Sequence, residues 1–529
     1  MGGYYCLFPC LLVCFLLHTL GSHSLNQTCN PTDLEALLSF SSSLDRKGSR
    51  LVGWGPNDTA CCSWTGVSCD LGRVVGLDLS NKSLHGGISS AISLLDGLVT
   101  LNLSGNSLHG QPPVGLGRLA RMRILDLSMN MLSGAFPTSE HGFPAIEALR
   151  FSRNKFTGQV LTGFCQCKML TELSIDGSGL TGNLPSDLYT ISELRRLSLR
   201  DNLLSGNLGE NLGNFSQLIH IDLSYNMFRG IIPDMFGGLR RLEFLNLGSN
   251  LLTGTLPASL SSCPMLRVIN LRNNSLSGKI TIDFHLLPRL IVLDAGANML
   301  SGPIPPDLMW CTELRTLNLG KNMLDGDITE SFKNLRSLSH LSLDRNGFTN
   351  LSSALRVLQH LPKLTTLVLT KNFHGGETLP MDGINGFKSM QVFVLANCAL
   401  SGMIPPWLKS MESLRALDLS WNKLNGKIPL WLGNLNDLFY VDLSNNLFSW
   451  ELPESFTQMK GLISSNSSSE HASMEDFPLF IKKNSCNKGL QYNHVSSFPP
   501  SLILSNNLLV RPVLWGLGNL VKLHVLDSG

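Results

Sequence analysis

A repeat of 24 residues is the feature of this sequence that most constrains its fold. Leu125–Gly134 reads LDLSMNMLSG and Leu417–Gly426 reads LDLSWNKLNG, and both match the pattern L-x-L-x-x-N-x-L. The asparagine slot recurs at 82, 106, 130, 154, 178, 202, 226, 250, 274, 298, 322 and 346, and then, with two units stretched to 26, at 372, 398, 422 and 446. A period held over this length predicts a solenoid, in which each unit packs only on its neighbours.

The pattern is that of a leucine-rich repeat, so it also predicts the structure of each unit. Each unit contains a short strand whose two leucines face the core of the solenoid. Stacking sets these strands side by side in a parallel sheet, ~4.8 Å apart. The residues between and beside the leucines are expected to face solvent on the concave side. Asparagine suits its slot because one amide supplies both donors and an acceptor for backbone groups in a tight turn. Three units place Lys82, Ser178 and Cys398 there instead.

A second phrase follows the asparagine, as in Leu252–Pro257 (LTGTLP), Leu300–Pro305 (LSGPIP) and Leu400–Pro405 (LSGMIP). Glycine permits a tight turn, and proline limits strand pairing on that flank. The phrase resembles the insert of plant-type leucine-rich repeats. The expected fold is therefore an α/β-type solenoid, a plant-type leucine-rich-repeat superhelix with a parallel concave β-sheet.

Four cysteines, Cys29, Cys61, Cys62 and Cys69, precede the first repeat. A solenoid end needs a cover, and disulfides suit a small cover in an oxidising compartment. Four cysteines allow three pairings. The string CCSWTGVSC at 61–69 resembles the N-terminal cap of plant leucine-rich-repeat proteins, and this resemblance implies Cys29–Cys61 and Cys62–Cys69.

The other cysteines do not predict a metal site. Cys167, Cys263 and Cys311 each stand three residues before the first leucine of a repeat, in a slot that other units fill with leucine, isoleucine or phenylalanine. They are interpreted as small buried hydrophobic residues. We expect neither a metal ion nor a cofactor.

The N-terminus predicts a secreted chain. An apolar run from Cys6 to Leu17, broken only by Pro9, is followed by small residues, which is typical of a signal peptide removed near residue 24. The run is too short to span a bilayer core of ~30 Å, and no later segment is long and apolar enough to do so. Eight Asn-x-Ser/Thr sites fit an extracellular (apoplastic) location and are candidate glycosylation sites: Asn26, Asn57, Asn81, Asn102, Asn214, Asn273, Asn350 and Asn466. A formal net charge of +2, with 15% charged residues, gives no reason to expect nucleic-acid binding.

The period fails after Leu452-Pro453 and returns at Leu502. The intervening residues 454–500 are rich in serine and asparagine but contain an apolar stretch, DFPLFIKK at 476–483. A disordered loop is one interpretation, but the apolar stretch favours an island that docks on the solenoid. The predicted organisation is a signal peptide at 1–24, a cap at 25–73, about sixteen repeats of 24 to 26 residues at 74–453, the island at 454–500, and one further repeat with a truncated one at 501–529.

The island, with LQYNH at 490–494 and FPP at 498–500, together with the cap and the repeats, resembles the phytosulfokine receptors. These are plant leucine-rich-repeat receptor kinases whose ectodomain binds a sulfated pentapeptide between the concave face and the island. The resemblance implies a peptide-hormone receptor ectodomain, with a short leucine-rich-repeat co-receptor kinase as a further partner. It implies these ligand-binding positions: Arg272, Asn318, Ser342, Thr370, Asn397, Asp418, Phe480 and Lys482.

The chemistry of these positions agrees with a sulfated ligand. Arg272 offers a planar fork to a sulfate, Asn318 a neutral donor, and Lys482 a point charge for a second sulfate. Phe480 offers ring contact. Asp344, among the same strand positions, departs from the family pattern of a small hydroxyl residue, and its carboxylate repels a sulfate unless it meets a donor.

No Gly-rich loop, catalytic loop or DFG phrase of a protein kinase occurs, so the chain is not expected to be an enzyme. A kinase and a plasma-membrane location would belong to a longer parent form. The alternative is a secreted cell-wall protein that binds or inhibits another protein, such as a pectin-degrading enzyme. At the other end, Leu523–Leu526 begins a repeat whose strand is left as an open apolar edge, so residues 454–529 are expected to be more protease-sensitive than the central repeats.

Overall fold

A computed structural model describes residues 29–44, 51, 53–55, 58–135, 143–160, 166–463, 480–481, 490–491, 498–510 and 514–528. The predicted signal peptide and Lys482 lie outside these residues. Among them, no helix combines the length and apolar character that a membrane crossing requires.

The first repeat segment of each unit forms one strand of a 19-stranded sheet, here called the concave sheet. Its strands are β1 (Val67–Asp70), β2 (Arg73–Asp78), β3 (Thr100–Asn102), β4 (Ile124–Asp126), β5 (Ala148–Arg150), β6 (Glu172–Ser174), β7 (Arg196–Ser198), β8 (His220–Asp222), β9 (Phe244–Asn246), β10 (Val268–Asn270), β11 (Val292–Asp294), β12 (Thr316–Asn318), β13 (His340–Ser342), β14 (Thr366–Val368), β15 (Val392–Val394), β16 (Ala416–Asp418), β17 (Tyr440–Asp442), β18 (Ser501–Ile503) and β19 (Val525–Asp527). Every neighbouring pair is parallel except β1 and β2, which are antiparallel. The predicted parallel sheet is confirmed.

The strand register follows the sequence repeat. Leu293 pairs with Leu317, and Leu317 pairs with Leu341, so equivalent residues of successive units are direct neighbours. All three leucines are buried in a core that runs along the solenoid. Truncating such a leucine to alanine costs about 2–5 kcal/mol, so the leucine ladder fixes which strand residues face outward.

The phrase after each asparagine pairs in a second set of parallel strands. A 12-stranded and a 4-stranded sheet are formed by His85–Gly87, Ser107–Gly110, Met131–Ala135, Lys155–Gln159, Gly179–Gly182, Leu203–Asn207, Met227–Ile231, Leu251–Gly254, Ser275–Gly278, Met299–Gly302, Met323–Gly326 and Gly347–Phe348, and by Ser401–Gly402, Lys423–Gly426, Leu447–Trp450 and Leu508–Leu509. The spacing that repeats from unit to unit places a glycine of positive φ here, for example Gly302 at +77°. A side chain would be strained in that conformation.

Short 3-10 helices close most units on the side opposite the concave sheet. They span Cys61–Ser63, Ser90–Leu94, Val114–Arg118, Ser186–Thr190, Glu210–Asn214, Phe236–Gly238, Ala258–Ser262, Phe284–Leu286, Pro306–Trp310, Glu330–Asn334, Pro406–Ser410, Leu430–Asn434, Glu454–Gln458 and Trp515–Asn519. The first of the two 26-residue units contains an α-helix instead, α2 at Leu351–Leu358. The extra length accommodates this helix, which sequence analysis did not predict.

The asparagine slot forms a ladder of buried amides. Asn322 Nδ2 donates to the carbonyls of Leu319 (3.0 Å) in its own turn and Ala295 (3.0 Å) in the preceding unit, and its Oδ1 accepts from Leu300 N–H (2.9 Å). The same pattern recurs through the solenoid, as at Asn226. Each amide satisfies backbone groups of the turn, as the sequence predicted, and it also ties that turn to the unit before it.

The N-terminal cap begins with helix α1 (Pro31–Ser42), whose N-cap residue Asn30 accepts from two backbone N–H groups. Disulfides join Cys29 to Cys61 and Cys62 to Cys69, each with Cα atoms 5.5 Å apart, which are the pairs that the resemblance implied. Arg73 on β2 donates to the buried Asp33 of α1 (3.0 Å). The cap is thereby covalently closed and ionically tied to the first strand pair.

The described parts of the predicted island include a short helix and a pair of short strands. Helix α3 (Lys460–Ile463) buries Leu462, and the two-residue strands Phe480–Ile481 and Leu490–Gln491 pair antiparallel. At the end of the chain, the strand β19 pairs with β18, but all three of its residues are exposed. The equivalent Leu502 of β18 is buried.

Candidate ligand-binding face

The concave sheet presents two columns of side chains to one surface. The central column is the last residue of each short strand, and it includes Asp294, Asn318, Ser342 and Asp418. The edge column lies two residues further along, and it includes Arg272, Asp344, Thr370 and Ser420. Six of the eight positions implied by resemblance (Arg272, Asn318, Ser342, Thr370, Asn397 and Asp418) are therefore brought to strands β10–β16 or directly after them.

The expectation that these side chains face solvent is wrong for most of them. Asn318 and Asp344 are each only 2% exposed, and Ser342, Thr370, Asp418 and Ser420 are also buried. The cause is the strand spacing of ~4.8 Å, at which short side chains on neighbouring strands cover one another. Arg272 is only partly exposed.

Asn397 also departs from its predicted place on a concave strand. It lies in the left-handed region (φ +54°) of the turn between the edge column and the asparagine slot. Equivalent residues in other units, including Met129, Arg153, Tyr225, Ala297, Lys321, Arg345 and Trp421, share this conformation. We call this third column the rim. A ligand that reached Asn397 would contact the rim and not the strand.

Arg272 does not stand alone as an anion site, because a buried carboxylate lies beside it. Arg272 Nη1 is 3.7 Å from Asp294 Oδ2, and Asn318 Nδ2 donates to Asp294 Oδ1 (2.9 Å). Burial raises the pKa of Asp294, and the charge of Arg272 opposes that rise. Sequence analysis did not single out Asp294. Its signal was present, since it occupies the same strand position as Asn318.

Two glycines of the edge column, Gly296 and Gly320, lie between Arg272 and Asp344. A Cβ at Gly296 would come within 2.9 Å of Asn318 Nδ2, and a Cβ at Gly320 would clash with Asp344 Oδ1. The side chains of Asn318 and Asp344 thus fold over these glycines and fill the space above them. Polar side chains therefore form a continuous row across the sheet, which we call the polar trough and define by Arg272, Asp294, Asn318, Ser342, Asp344 and Thr370.

At the other end of the trough, Asp344 has one satisfied oxygen and one unsatisfied oxygen. Ser342 Oγ donates to its Oδ1 (3.0 Å), while Oδ2 has no hydrogen-bond partner and lies 3.9 Å from Arg345 Nε. Burial raises the pKa of Asp344, and the charges of Lys321, Arg345 and Arg272 oppose that rise. Thr370 Oγ1 on the next strand also lacks a partner.

An apolar patch continues the face beyond the trough. Val368, Val392, Val394, Ala396 and Ala416 pack with Tyr440 and Phe498. The Tyr440 and Phe498 rings meet edge to face, with centroids 5.0 Å apart. Phe498 comes from the predicted island, so the end of that segment lies against the concave sheet. The side chain of Phe480 and all of Lys482 lie outside what the structure describes, and their predicted roles stay predictions.

The described glycosylation sites differ in accessibility. Asn81, Asn214 and Asn273 are exposed. Asn350 is exposed but caps helix α2, accepting from Ser353 N–H (3.2 Å). Asn102 is half-buried on β3, and its Oδ1 accepts from Ser104 Oγ (2.7 Å). Asn26, Asn57 and Asn466 lie outside the described residues.

One group outside the concave face has the composition of a metal site. Ligand atoms of Asp283, His285 and Asp307 lie within 4.8 Å of one another. The two carboxylates already serve the backbone, because Asp283 Oδ1 accepts from His285 N–H (3.1 Å) and Asp307 Oδ2 from Phe284 N–H (3.0 Å). The buried thiols of Cys167, Cys263 and Cys311 lie in the core, and burial raises the pKa of Cys263 and Cys311 to about 12.

Comparison with known protein families agrees with the observed arrangement of a cap followed by repeats. Residues 30–70 match a leucine rich repeat N-terminal domain, and residues 192–252, 97–119, 313–335, 413–435 and 437–459 match leucine rich repeats. The fold is a leucine-rich-repeat solenoid.

Curated relatives of this solenoid include plant receptors. The chain is 52% identical to phytosulfokine receptor 1 of Arabidopsis thaliana over 195 residues and 48% identical to phytosulfokine receptor 2 over 181 residues. These matches cover 37% and 34% of this chain, and they span only 19% and 17% of the two receptors. A shorter match of 91 residues, 38% identical, is to a polygalacturonase inhibitor of Vitis vinifera, covering 17% of this chain and 27% of the inhibitor.

Solved plant receptors share the whole architecture of the solenoid. A plant peptide hormone receptor, RGFR1, in complex with RGF2 superposes with a TM-score of 0.71 and 29% identity, over 85% of this chain and 70% of the receptor chain. A TDR receptor superposes with a TM-score of 0.66 and 28% identity, over 86% of this chain and 84% of its own. The solenoid is therefore similar to plant leucine-rich-repeat receptors along most of its length.

Proposed function

We propose that this chain is the extracellular ligand-binding region of a plant peptide-hormone receptor, and that its ligand is a sulfated peptide of the phytosulfokine type. The observation that carries the proposal is the polar trough between Arg272 and Thr370, which continues into an apolar patch closed by Phe498. A polar row across several parallel strands suits an extended peptide, since the backbone groups and side chains of the peptide can meet a long, narrow surface. The similarity to two phytosulfokine receptors supports the same ligand class.

In this proposal Arg272 binds a tyrosine sulfate. Its guanidinium presents several N–H donors in one plane, a geometry that matches the oxygens of a sulfate, and it lies 3.7 Å from Asp294. Asp294 and Asn318 orient the guanidinium, and Lys482 meets a second sulfate. Signalling would require a kinase in a longer parent form at the plasma membrane, with a short leucine-rich-repeat co-receptor kinase as partner. The present chain acts by binding and carries out no catalysis.

Calorimetric affinities of sulfated and unsulfated forms of one peptide for the full chain test the proposal. We expect the sulfated form to bind at least about 10-fold more tightly, because a charge-assisted contact contributes about 1.5–3 kcal/mol. Arg272→Ala reduces this preference, because only the sulfate met by Lys482 is then still recognised. Arg150→Ala is the matched control, because Arg150 lies on the same sheet at strand β5 but outside the trough. Equal affinity of the two peptides for the unmutated chain contradicts the proposal.

The match to a polygalacturonase inhibitor supports a second candidate, a secreted cell-wall protein that inhibits a pectin-degrading enzyme. The two functions differ in what the trough does. Inhibition of a polygalacturonase by the purified chain, unaffected by Arg272→Ala, would favour the inhibitor. Peptide binding without inhibition favours the receptor.

A further inference from the structure

Three polar atoms without a hydrogen-bond partner occur together in the middle of the concave face. They are Asp344 Oδ2, Arg345 Nε and Thr370 Oγ1. Asp344 and Arg345 are consecutive, and Thr370 occupies the place of Asp344 on the next strand, because Ser342 pairs with Val368. A buried polar atom without a partner costs about 1–3 kcal/mol, so this arrangement is unfavourable in the free chain. Among the described residues of the concave columns and the rim, no other unsatisfied side-chain atoms of this kind occur.

The chemistry of the three atoms is complementary to one particular group. A carboxylate oxygen only accepts, a guanidinium Nε only donates, and a hydroxyl does both. A peptide unit offers one N–H and one C=O. Asp344 Oδ2 and Arg345 Nε are 3.9 Å apart, which is too far for a hydrogen bond between them and leaves each available to a third group.

We propose that Asp344, Arg345 and Thr370 form a backbone clamp for an extended peptide. Asp344 accepts a hydrogen bond from the N–H of one ligand residue, and Arg345 donates to a backbone carbonyl of the ligand. The Thr370 hydroxyl, which can donate or accept, forms a hydrogen bond with the same stretch of ligand backbone. The clamp rests on the proposed function, because it holds the same peptide that Arg272 contacts. It adds a recognition element that acts on the ligand backbone and does not require a sulfate.

The surroundings favour a neutral peptide group over an anion at this point. The Asp344 carboxylate is buried and accepts a hydrogen bond from Ser342, and the charges of Lys321, Arg345 and Arg272 already act on it. A neutral peptide group adds no charge here, whereas a sulfate placed against the carboxylate would meet a like charge. Access requires a ligand to displace the contact between Arg345 Nε and Asp344 Oδ2, which are 3.9 Å apart and not hydrogen-bonded.

N-methylation of the ligand, one backbone amide at a time, tests the clamp. Each methylated peptide is titrated into the full chain and into its Asp344→Ala variant. In the unmutated chain, methylation of one amide weakens binding about 10-fold or more, because the lost hydrogen bond has a charged acceptor. In Asp344→Ala the same methylation changes affinity less than about 3-fold, since the acceptor is gone. Equal losses in both proteins, or no sensitive amide in the unmutated chain, overturn the clamp.

A measurement without ligand separates recognition from folding. If Asp344 serves the ligand, the isosteric variant Asp344→Asn unfolds at the same temperature as the unmutated chain or above it. Asp222→Asn is the matched control, because the Asp222 carboxylate is fully engaged by Ser224 and Asn246, and this variant unfolds at a lower temperature. A clear loss of stability in Asp344→Asn would assign Asp344 to the fold and overturn the clamp.

The two proposals fail in different ways. If the chain discriminates sulfated peptide through Arg272 but shows no coupling between Asp344 and any ligand amide, the clamp alone is wrong. If the chain binds none of the peptides, both the receptor proposal and the clamp proposal are wrong.

Discussion

The upstream half of the concave sheet, β3–β9, and its downstream half, β10–β17, complete their polar contacts in different ways. Upstream, charged side chains pair with one another near the surface. Arg150 makes two hydrogen bonds to Glu172 (3.0 and 2.6 Å), and Arg123 donates to Glu147 (2.8 Å). The buried carboxylate of Asp222, also upstream, is engaged by Ser224 and Asn246. Downstream, the carboxylates of Asp294 and Asp344 are buried as well, but Asp344 keeps one oxygen unsatisfied.

This difference separates a surface that is complete by itself from one that is not. Exposed ion pairs contribute little to stability and need no further partner. A buried unsatisfied group weakens the free chain, and it persists in a structure when the site serves another purpose. The downstream half is therefore the half in which a ligand has hydrogen bonds to complete.

The largest expected effect tests whether the two halves share one scaffold. Asn226→Ala upstream and Asn322→Ala downstream should each lower the free energy of unfolding by about 3 kcal/mol. Each substitution removes at least three buried hydrogen bonds, so that one backbone N–H loses its partner and two carbonyls keep only the donor from the neighbouring asparagine. Urea denaturation measures both. If one variant is markedly less destabilised than the other, the halves differ in their scaffold and the comparison fails.

A smaller effect is expected from removing one arginine in each half. Arg272→Ala should cost about 2 kcal/mol, because it leaves Asp294 buried without its counter-charge. Arg150→Ala should cost less than about 1 kcal/mol, since Arg150 is 38% exposed. Denaturant midpoints of the two variants compare them directly. Similar costs would mean that the downstream carboxylate does not depend on Arg272.

One hydroxyl group in each half, that of Ser198 upstream and that of Thr370 downstream, gives a third comparison of stability. Ser198 Oγ upstream donates to Asp176 Oδ1 (2.6 Å), so Ser198→Ala should destabilise the chain by about 1 kcal/mol. Thr370 Oγ1 has no partner, and Thr370→Val keeps the side-chain shape while removing an unsatisfied hydroxyl. That variant should be neutral or slightly more stable in thermal unfolding. A loss as large as that of Ser198→Ala would show that the Thr370 hydroxyl is satisfied in solution.

The smallest expected effect is a pH dependence of the downstream carboxylate. Burial raises the pKa of Asp344, so ionisation opposes folding as the pH rises through that raised pKa. The penalty is absent below the unfolded pKa of about 4 and present at higher pH. The stability advantage of Asp344→Asn should therefore be greatest near neutral pH and shrink towards pH 4, as followed by thermal melts. An advantage that is constant with pH would contradict a raised pKa at Asp344.

Features that depend on neighbours in sequence could be predicted from the sequence. The asparagine slot and the leucine pair set the register of the strands. The cap pairing was implied only by the resemblance to known caps, because four cysteines alone allow three pairings. Contacts between units could not be predicted so well. The contacts that link Asp294 to Arg272 and Asn318 depend on which short side chains face each other across neighbouring strands, and on the room that Gly296 and Gly320 leave.

The rim has a consequence for how such a chain can diverge. Arginine, tyrosine, alanine, lysine and tryptophan all occur there in the same left-handed conformation, which costs roughly 1–2 kcal/mol in any residue with a Cβ. Because the neighbouring asparagine amides hold the backbone in that shape, the chemical identity of a rim side chain matters little to the architecture. Substitutions along this column can therefore change the surface chemistry of the solenoid while its architecture stays intact.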